Sequence, residues 1–258
     1  AAPLPLFSGC FPITCDASSR QAITTSPQIQ LHPSRRSSTT SPNVLVYFGT
    51  GQFIAAGDDT DQTRQSFYAV WDTGEGTSGN GDLDRGDLNE QVFGYNTVTS
   101  LFTITADTVT YRGTEDDTDG GFGWYVDLNG ANTAGKFTGG RVVINPLLLG
   151  ESIFFSVTSP EVEEFSCKPA GDSFLVGLDS LNGSEASFSV FNTTDDGVPD
   201  SSQPVLEVEG SLVGIDGILD SDGGANISGS RADGSYTQDN VGVSTSIPSG
   251  RKSRSIIR

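Results

Sequence analysis

Short runs of β-branched and aromatic residues recur along the whole chain, and clusters of glycine, aspartate and serine separate them. Almost nothing in the sequence shows the apolar periodicity of a helix, and side chains of this kind favour strands over short buried helices. The 32 glycines among 258 residues indicate many turns. The sequence therefore predicts an all-β fold, with strands at Ile23–Leu31, Val44–Phe48, Phe67–Trp71, Leu101–Tyr111, Gly123–Leu128, Val142–Leu149, Ser152–Val157, Ser173–Leu178, Ala186–Phe191 and Val205–Val208.

A weak internal repeat groups these strands into units. Each copy has a proline-bearing strand, then a strand that ends in a turn of small residues, then a Ser-Phe strand that runs into an aspartate and a glycine turn. This plan is typical of a four-stranded β-propeller blade of the quinoprotein type. The first copy is Ser26–Leu31, Val44–Gly51 and Ser66–Gly74, and the second is Asn145–Leu149, Ser152–Thr158 and Ser173–Gly183.

The number of repeats predicts only part of a propeller. A third, degraded copy begins near Gly210–Leu219, and Leu101–Leu128 either forms a blade of its own or fills an insertion. Roughly three blades result, whereas closed propellers have about four to eight. We therefore interpret residues 1–258 as a portion of a larger propeller, and the family resemblance given below implies its C-terminal portion. Its open sheet edges require cover from an upstream segment or a second chain.

The charge of the chain excludes some partners. With a formal net charge of -19, the surface repels phosphate backbones, so nucleic acid is a poor partner, whereas divalent cations are attracted. The longest apolar runs, such as Val142–Leu149, are far shorter than the roughly 20 residues that cross a bilayer. We expect no membrane span.

Three cysteines bear on the compartment. Cys10 and Cys15 are close enough in sequence to form a local disulfide, which would indicate an oxidising, exported environment. Cys167 is left over, either as a free thiol or as a partner for a cysteine outside this sequence.

Ordered motifs along nearly the whole chain resemble the PilY family of type IV pilus tip and assembly factors. They include an Ile-Thr-rich strand before a proline, a Tyr-Phe-Gly-Thr-Gly strand, a Gln-Ser-Phe-Tyr strand and an Arg-x-Asp-Leu-x-Glu-Gln segment. The matching segments are Gln21–Pro27, Val44–Phe53, Gln65–Asp72, Asp82–Gln91, Gly123–Leu128, Gly140–Pro146 and Gly250–Arg258.

The resemblance implies a function as well as a fold. It implies the last part of a calcium-binding propeller, with earlier blades and a variable adhesion domain upstream. It further implies a non-enzymatic component of the pilus tip complex, which supports pilus assembly, extension and attachment and contacts minor pilins. Such a protein is exported through the periplasm and is extracellular, at the tip of the pilus. The alternative is a secreted cation- or glycan-binding propeller unrelated to pili.

One loop matches the position of a calcium loop in that family. Oxygen ligands at alternate positions of a tight loop suit calcium, and a glycine at position 6 permits the sharp turn. Positions 1 and 3 are neutral and position 12 is Gln203, so the loop is either a weak calcium site or a solvated acidic turn. The predicted ligands are Asn192, Thr194, Asp196, the carbonyl of Val198 and Asp200, with the glycine at Gly197.

Other acidic clusters are either polar loops or cation sites: Asp58–Asp61, Asn80–Asp84, Glu115–Asp119 and Asp220–Asp222. Asn80–Asp84 is the best second candidate, since its oxygen-bearing residues alternate. The Arg-Gly-Asp tripeptide at Arg85–Asp87 coincides with the Arg-x-Asp-Leu motif, and we interpret it as structural. No catalytic set is apparent. His32, the single histidine, has no obvious nucleophile beside it in the sequence, and we interpret it as structural. A quinone dehydrogenase would need a vicinal disulfide, which three scattered cysteines do not offer. We predict that the chain is not an enzyme.

Overall fold

The computed structural model describes residues 6–9, 21–32, 43–73, 83–111, 121–128, 131–160, 172–192, 201, 203–208, 210–219 and 224–242. In these ranges the chain forms strands and two short 3-10 turns, Arg85–Asp87 and Ala131–Thr133, and no helix there is suited to crossing a membrane. The prediction of an all-β fold is confirmed. The strands are β1 (Gln28–Leu31), β2 (Val44–Gly49), β3 (Ser66–Asp72), β4 (Asn89–Gln91), β5 (Phe93–Asn96), β6 (Leu101–Ile104), β7 (Gly123–Asp127), β8 (Leu147–Leu149), β9 (Ser152–Ser159), β10 (Asp172–Asp179), β11 (Val205–Val208), β12 (Leu212–Leu219), β13 (Gly224–Arg231) and β14 (Tyr236–Gly242).

The first sheet has the order β1-β2-β3-β7-β4. Its first four strands pair antiparallel, and β4 pairs parallel with β7. The strand predicted at Gly123–Leu128 therefore lies beside β3, although about 50 residues separate the two in sequence. The intervening segment contains the β5-β6 hairpin, which forms a separate two-stranded sheet. Leu101–Leu128 thus forms no unit of its own: it contributes one strand to the first sheet, and the hairpin is an insertion.

The second sheet repeats the order of the four antiparallel strands of the first sheet. Strands β8, β9, β10 and β11 pair antiparallel in the order β11-β10-β9-β8. Its first three strands are the second copy of the sequence repeat, as β1, β2 and β3 are the first copy. A third sheet, β12-β13-β14, begins at the degraded third copy. The four sheets found in the described ranges are open, and none closes on itself.

The second sheet lies between the other two and is buried on both faces. Phe155 on β9 stacks on Phe67 of the first sheet, with ring centroids 3.9 Å apart and planes 5° apart. The preceding residue, Phe154, points to the opposite face of the sheet. It packs in a second cluster, which contains Phe191 and, from the third sheet, Ile227. Because successive side chains of a strand point to opposite faces, long apolar runs in β9 and β10 supply two cores at once.

Some predicted strands are shorter than expected, and one is absent. Pro27 lacks an N–H to donate, and β1 begins directly after it. Of the run Val142–Leu149 only Leu147–Leu149 is a strand, because the segment from Arg141 to Pro146 crosses between two sheets. The run Ala186–Phe191 forms bends and no strand, and Phe191 makes isolated bridges to Ser201 and Val241.

Candidate functional site

Phe191, which precedes the predicted calcium loop, lies in the hydrophobic cluster between the second and third sheets. Phe191 and Ser201, which flank the loop, pair with each other: the Ser201 N–H donates to the Phe191 carbonyl at 2.9 Å, and the Val190 N–H donates to the Ser201 carbonyl at 2.7 Å. Phe191 is buried, and Asn192, the first predicted ligand, is 7% exposed. The two ends of the loop are therefore held together by the fold.

Most of the remaining predicted ligands and all three cysteines lie outside the described residues. These are Thr194, Asp196, Val198, Asp200, Cys10, Cys15 and Cys167, together with Asn80, Asp82, Glu115–Asp119, Asp220 and Asp222. The calcium site and the disulfide stay predictions. Within the described ranges, no group of three His, Cys, Asp or Glu side chains is arranged to hold a metal ion.

In the acidic cluster at Asp58–Asp61, the carboxylate of Asp58 binds groups of its own loop. The Asp58 carboxylate accepts hydrogen bonds from the Ala55 N–H at 2.7 Å, the Ile54 N–H at 2.8 Å and the Gln52 side chain at 3.1 Å. These donors hold the pKa of Asp58 below its ordinary value, with the Ala55 N–H as the largest cause. Asp58 thus organises the loop between β2 and β3.

The buried side chain of Arg141 binds the same loop through hydrogen bonds to its carbonyls. The Arg141 side chain is almost fully buried, and its guanidinium donates to the carbonyls of Gly139 at 3.0 Å, Gln52 at 2.8 Å, Asp58 at 2.6 Å and Asp61. Burial lowers the pKa of Arg141. Arg141 therefore satisfies main-chain acceptors on the inner side of this loop. We name residues 52–61 with this arginine the clamped loop.

The Arg-Gly-Asp tripeptide forms a capped 3-10 turn. The Asp84 carboxylate accepts from the Gly86 N–H at 2.6 Å, and the Asp87 carboxylate accepts from the Asp84 N–H at 3.0 Å. This reciprocal cap occupies the carboxylates of Asp84 and Asp87 locally. The Arg85 side chain is only 6% exposed, so the interpretation of the tripeptide as structural is confirmed.

Arg85 is the centre of a buried polar network on the first sheet. Its Nη2 donates to both carboxylate oxygens of Asp127, and its Nη1 donates to Ser66 Oγ at 2.9 Å and to the Tyr68 hydroxyl at 2.8 Å. The guanidinium carbon lies 3.9 Å from the ring centroid of Tyr125. Although burial alone would lower the pKa of Arg85, Tyr68 and Asp127 raise it above its ordinary value. The arginine is therefore a permanent, buried cation.

His32 is part of an aromatic cluster. It is fully buried, and its ring lies 4.8 Å from that of Trp71 and 4.4 Å from that of Tyr111, measured between centroids. The Trp71 indole N–H donates to the Asn43 side chain at 2.9 Å. These contacts give His32 a packing role, as the sequence predicted.

Sequence reasoning missed the role of two residues inside motifs that it had found. Arg141 and Gln91 are both almost fully buried. The Gln91 side chain donates to the carbonyls of Asp107 at 2.6 Å and Asn182 at 2.8 Å, and so joins the first sheet to the turn after β10. A basic side chain between Gly140 and an apolar run is the signal that could have identified Arg141, whereas nothing in the sequence around Gln91 marks its role.

The fold defines an all-β protein in which antiparallel sheets of similar strand order pack face to face. A solved structure has this fold: the C-terminal domain of Pseudomonas aeruginosa PilY1, at 23% sequence identity and a TM-score of 0.66. The match covers 92% of this chain and 48% of that chain, so about half of the solved domain has no counterpart here.

Curated relatives agree with this match. The chain is 28% identical over 197 residues to the type IV pilus biogenesis factor PilY1 of P. aeruginosa strain PAO1. It is 28% identical over 189 residues to a PilY1 homologue of Xylella fastidiosa strain Temecula1. These matches cover 72% and 71% of this chain but only 16% and 11% of the relatives. No family model matches.

These comparisons confirm the resemblance to the C-terminal part of PilY-type proteins that the motifs predicted. The structure explains why the motifs stand out in the sequence. Ser66, Arg85 and Asp127 come from three of them and meet in one buried network. Arg141 comes from a fourth and organises the clamped loop.

Proposed function

We propose that this chain is a non-enzymatic component of the type IV pilus tip complex, which supports pilus assembly, extension and surface attachment. The observation that carries the proposal is the similarity to proteins named as type IV pilus biogenesis factors, over 72% of the chain. The proposed location follows from the role: export through the periplasm, then the cell surface at the pilus tip, in contact with minor pilins.

We propose further that the three packed sheets are blades of a larger β-propeller. The shared strand order of the first two sheets supports this, and so does the outer face of the first sheet. On that face Ile29 and Leu31 are 61% and 64% exposed, and their partners across the strand pair, Val46 and Val44, are half-buried. An apolar sheet face of this kind is suited to packing against another sheet. An upstream segment or a second chain would supply it.

We propose that calcium modulates this function through the loop of Asn192, Thr194, Asp196, Val198 and Asp200. The support is the ligand spacing and the pairing of Phe191 with Ser201, which brings the loop ends together. Only Asp196 and Asp200 provide carboxylates at ligand positions, so the site should be weak, with a Kd of about 10⁻⁴ to 10⁻³ M.

Deletion of the gene in its own organism tests the pilus role. The expected result is a loss of surface pili, counted by electron microscopy, and recovery when the intact gene is supplied in trans. The rival function, a secreted cation- or glycan-binding propeller, predicts an unchanged number of pili. That outcome would overturn the proposal.

A further inference from the structure

The outer surface of the clamped loop is apolar. Four consecutive residues, Phe53 to Ala56, are exposed, with Phe53 at 47% and Ile54 at 83%. A shallow depression of about 320 Å³ lies beside them, lined by Phe53, Ala55, Ala56, Gly57 and Asp59. Single exposed apolar residues are common, but a contiguous run on one loop marks an interaction surface.

The backbone beneath this surface is fixed. The N–H groups of Ile54 and Ala55 are bound by the Asp58 carboxylate, and the carbonyls of Gln52 and Asp58 are bound by Arg141. The Arg141 guanidinium carbon also lies 5.9 Å from the ring centroid of Phe53. The fold thus orders the loop from within while leaving its apolar side chains outside. Such preorganisation lowers the entropic cost of binding a partner.

The charges around the loop determine the kind of partner. Asp59 lines the depression and is exposed, and the chain as a whole carries a net charge of -19. Anionic lipid repels such a surface, and a second copy of the chain would bring the same negative charge to the contact. A protein with an apolar recess bordered by lysine or arginine complements both properties of the loop.

We propose that Phe53–Ala56 is a docking surface for a protein partner with an apolar recess and a basic rim. Resting on the proposed function, this partner is a minor pilin of the same pilus. Phe53 and Ile54 enter the recess, and Asp59 meets the basic rim.

Binding of the purified soluble domains of the minor pilins to the full chain tests this directly. The double variant Phe53→Ser, Ile54→Ser should bind at least tenfold more weakly than the intact chain. The matched control is Val98→Ser, since Val98 is an exposed apolar residue (91%) at another turn, and its binding should be unchanged. Equal binding by the double variant would overturn the inference alone. If the intact chain binds no pilin, the proposed function fails and the inference fails with it.

A second measurement tests whether the double variant is still folded. The double variant should have the same midpoint of thermal unfolding as the intact chain, because the replaced side chains are exposed. If its midpoint is lower, the single variant Ile54→Ser is used in the binding experiment instead. Asp59→Lys should slow association and weaken its salt dependence. A photo-crosslinking residue at position 54 should attach to the pilin. Attachment instead to lipid vesicles, to the same chain or to a second copy would contradict the proposal.

Discussion

Arg85 and Asp127 are 42 residues apart in sequence and form a buried ion pair, with Nη2 of the arginine 2.9 and 3.0 Å from the two carboxylate oxygens. The pair fixes the 3-10 turn at Arg85–Asp87 against the last residue of β7. It also explains why an Arg-Gly-Asp tripeptide in this chain serves the fold, since the arginine is buried within the network.

Removal of the arginine should be strongly destabilising. Arg85→Ala leaves the Asp127 carboxylate buried without its main partner, which costs about 3–5 kcal/mol of the free energy of unfolding. Urea denaturation measures this value. Arg64→Ala is the matched control: Arg64 also binds Asp127, at 3.0 Å, but its side chain is 38% exposed, so we expect a loss of about 0–1 kcal/mol. Equal losses in the two variants would contradict the network.

Gly183 should tolerate no side chain. A Cβ there would lie 2.3 Å from the Trp124 ring, and the residue has a φ of +69°. Gly183→Ala should therefore cost about 3 kcal/mol or more, from the strained backbone and the overpacked indole together. Gly234→Ala isolates the backbone contribution, because Gly234 has a φ of +86° and open space around it. We expect about 1–2 kcal/mol there. A similar loss at both positions would show that Trp124 does not pack closely on Gly183.

The pH dependence of stability should change when Asp179 loses its charge. Burial raises the pKa of Asp179 above its ordinary value of 3.8, against the opposing effect of the Asn182 and Leu181 N–H groups. The folded state therefore holds the proton more tightly than the unfolded state. The contribution of Asp179 to stability falls as the pH rises from about 3.8 through the folded pKa, and stays at its lower value above it.

Asp179→Asn keeps an oxygen that accepts from Leu181 and Asn182 and removes the charge of this half-buried side chain. The variant should be more stable than the intact chain at neutral pH, and the difference should shrink as the pH is lowered towards about 4. Chemical denaturation of both proteins across this range provides the measurement. A difference that grows on acidification would contradict the assignment.

The sequence predicted the main strands of the first two sheets. The predicted bounds of β2, β3, β9 and β10 lie within two residues of those observed, because long β-branched and aromatic runs leave little choice of structure. It did not predict β13 or β14. Gly224–Arg231 has only two apolar residues, Ala225 and Ile227, among glycine, serine and asparagine, and both pack in the hydrophobic cluster that the strand covers.

The contacts of the candidate site were less predictable than its motifs. Arg141 donates to carbonyls of residues 80 to 89 positions earlier in sequence, at Asp61, Asp58 and Gln52. No local pattern encodes such contacts, since they exist only when two distant segments pack together. For the acidic cluster at Asp58–Asp61 the sequence left two interpretations open, a polar loop and a cation site, and in the structure Asp58 binds main-chain N–H groups of its own loop.

Calcium binding provides a test of the loop after Phe191. Titration calorimetry should detect binding with a Kd of about 10⁻⁴ to 10⁻³ M, and Asp196→Asn should abolish the heat by removing a carboxylate ligand. The control is Asp216→Asn, which changes the net charge equally at an exposed strand residue. If calcium addition gives no heat, or if both variants bind as the intact chain does, the loop is an acidic turn.

The pilus role of this region is tested most directly by a chimera in P. aeruginosa. The segment of PilY1 that matches this chain is replaced by residues 1–258, and surface pili are counted in a strain that lacks its own PilY1. The account predicts that the chimera restores pili well above the level of the deletion strain, and that the same chimera carrying Arg85→Ala does so less well. A chimera that is produced and folded but restores no pili would contradict the claim that this chain does the work of the corresponding part of PilY1.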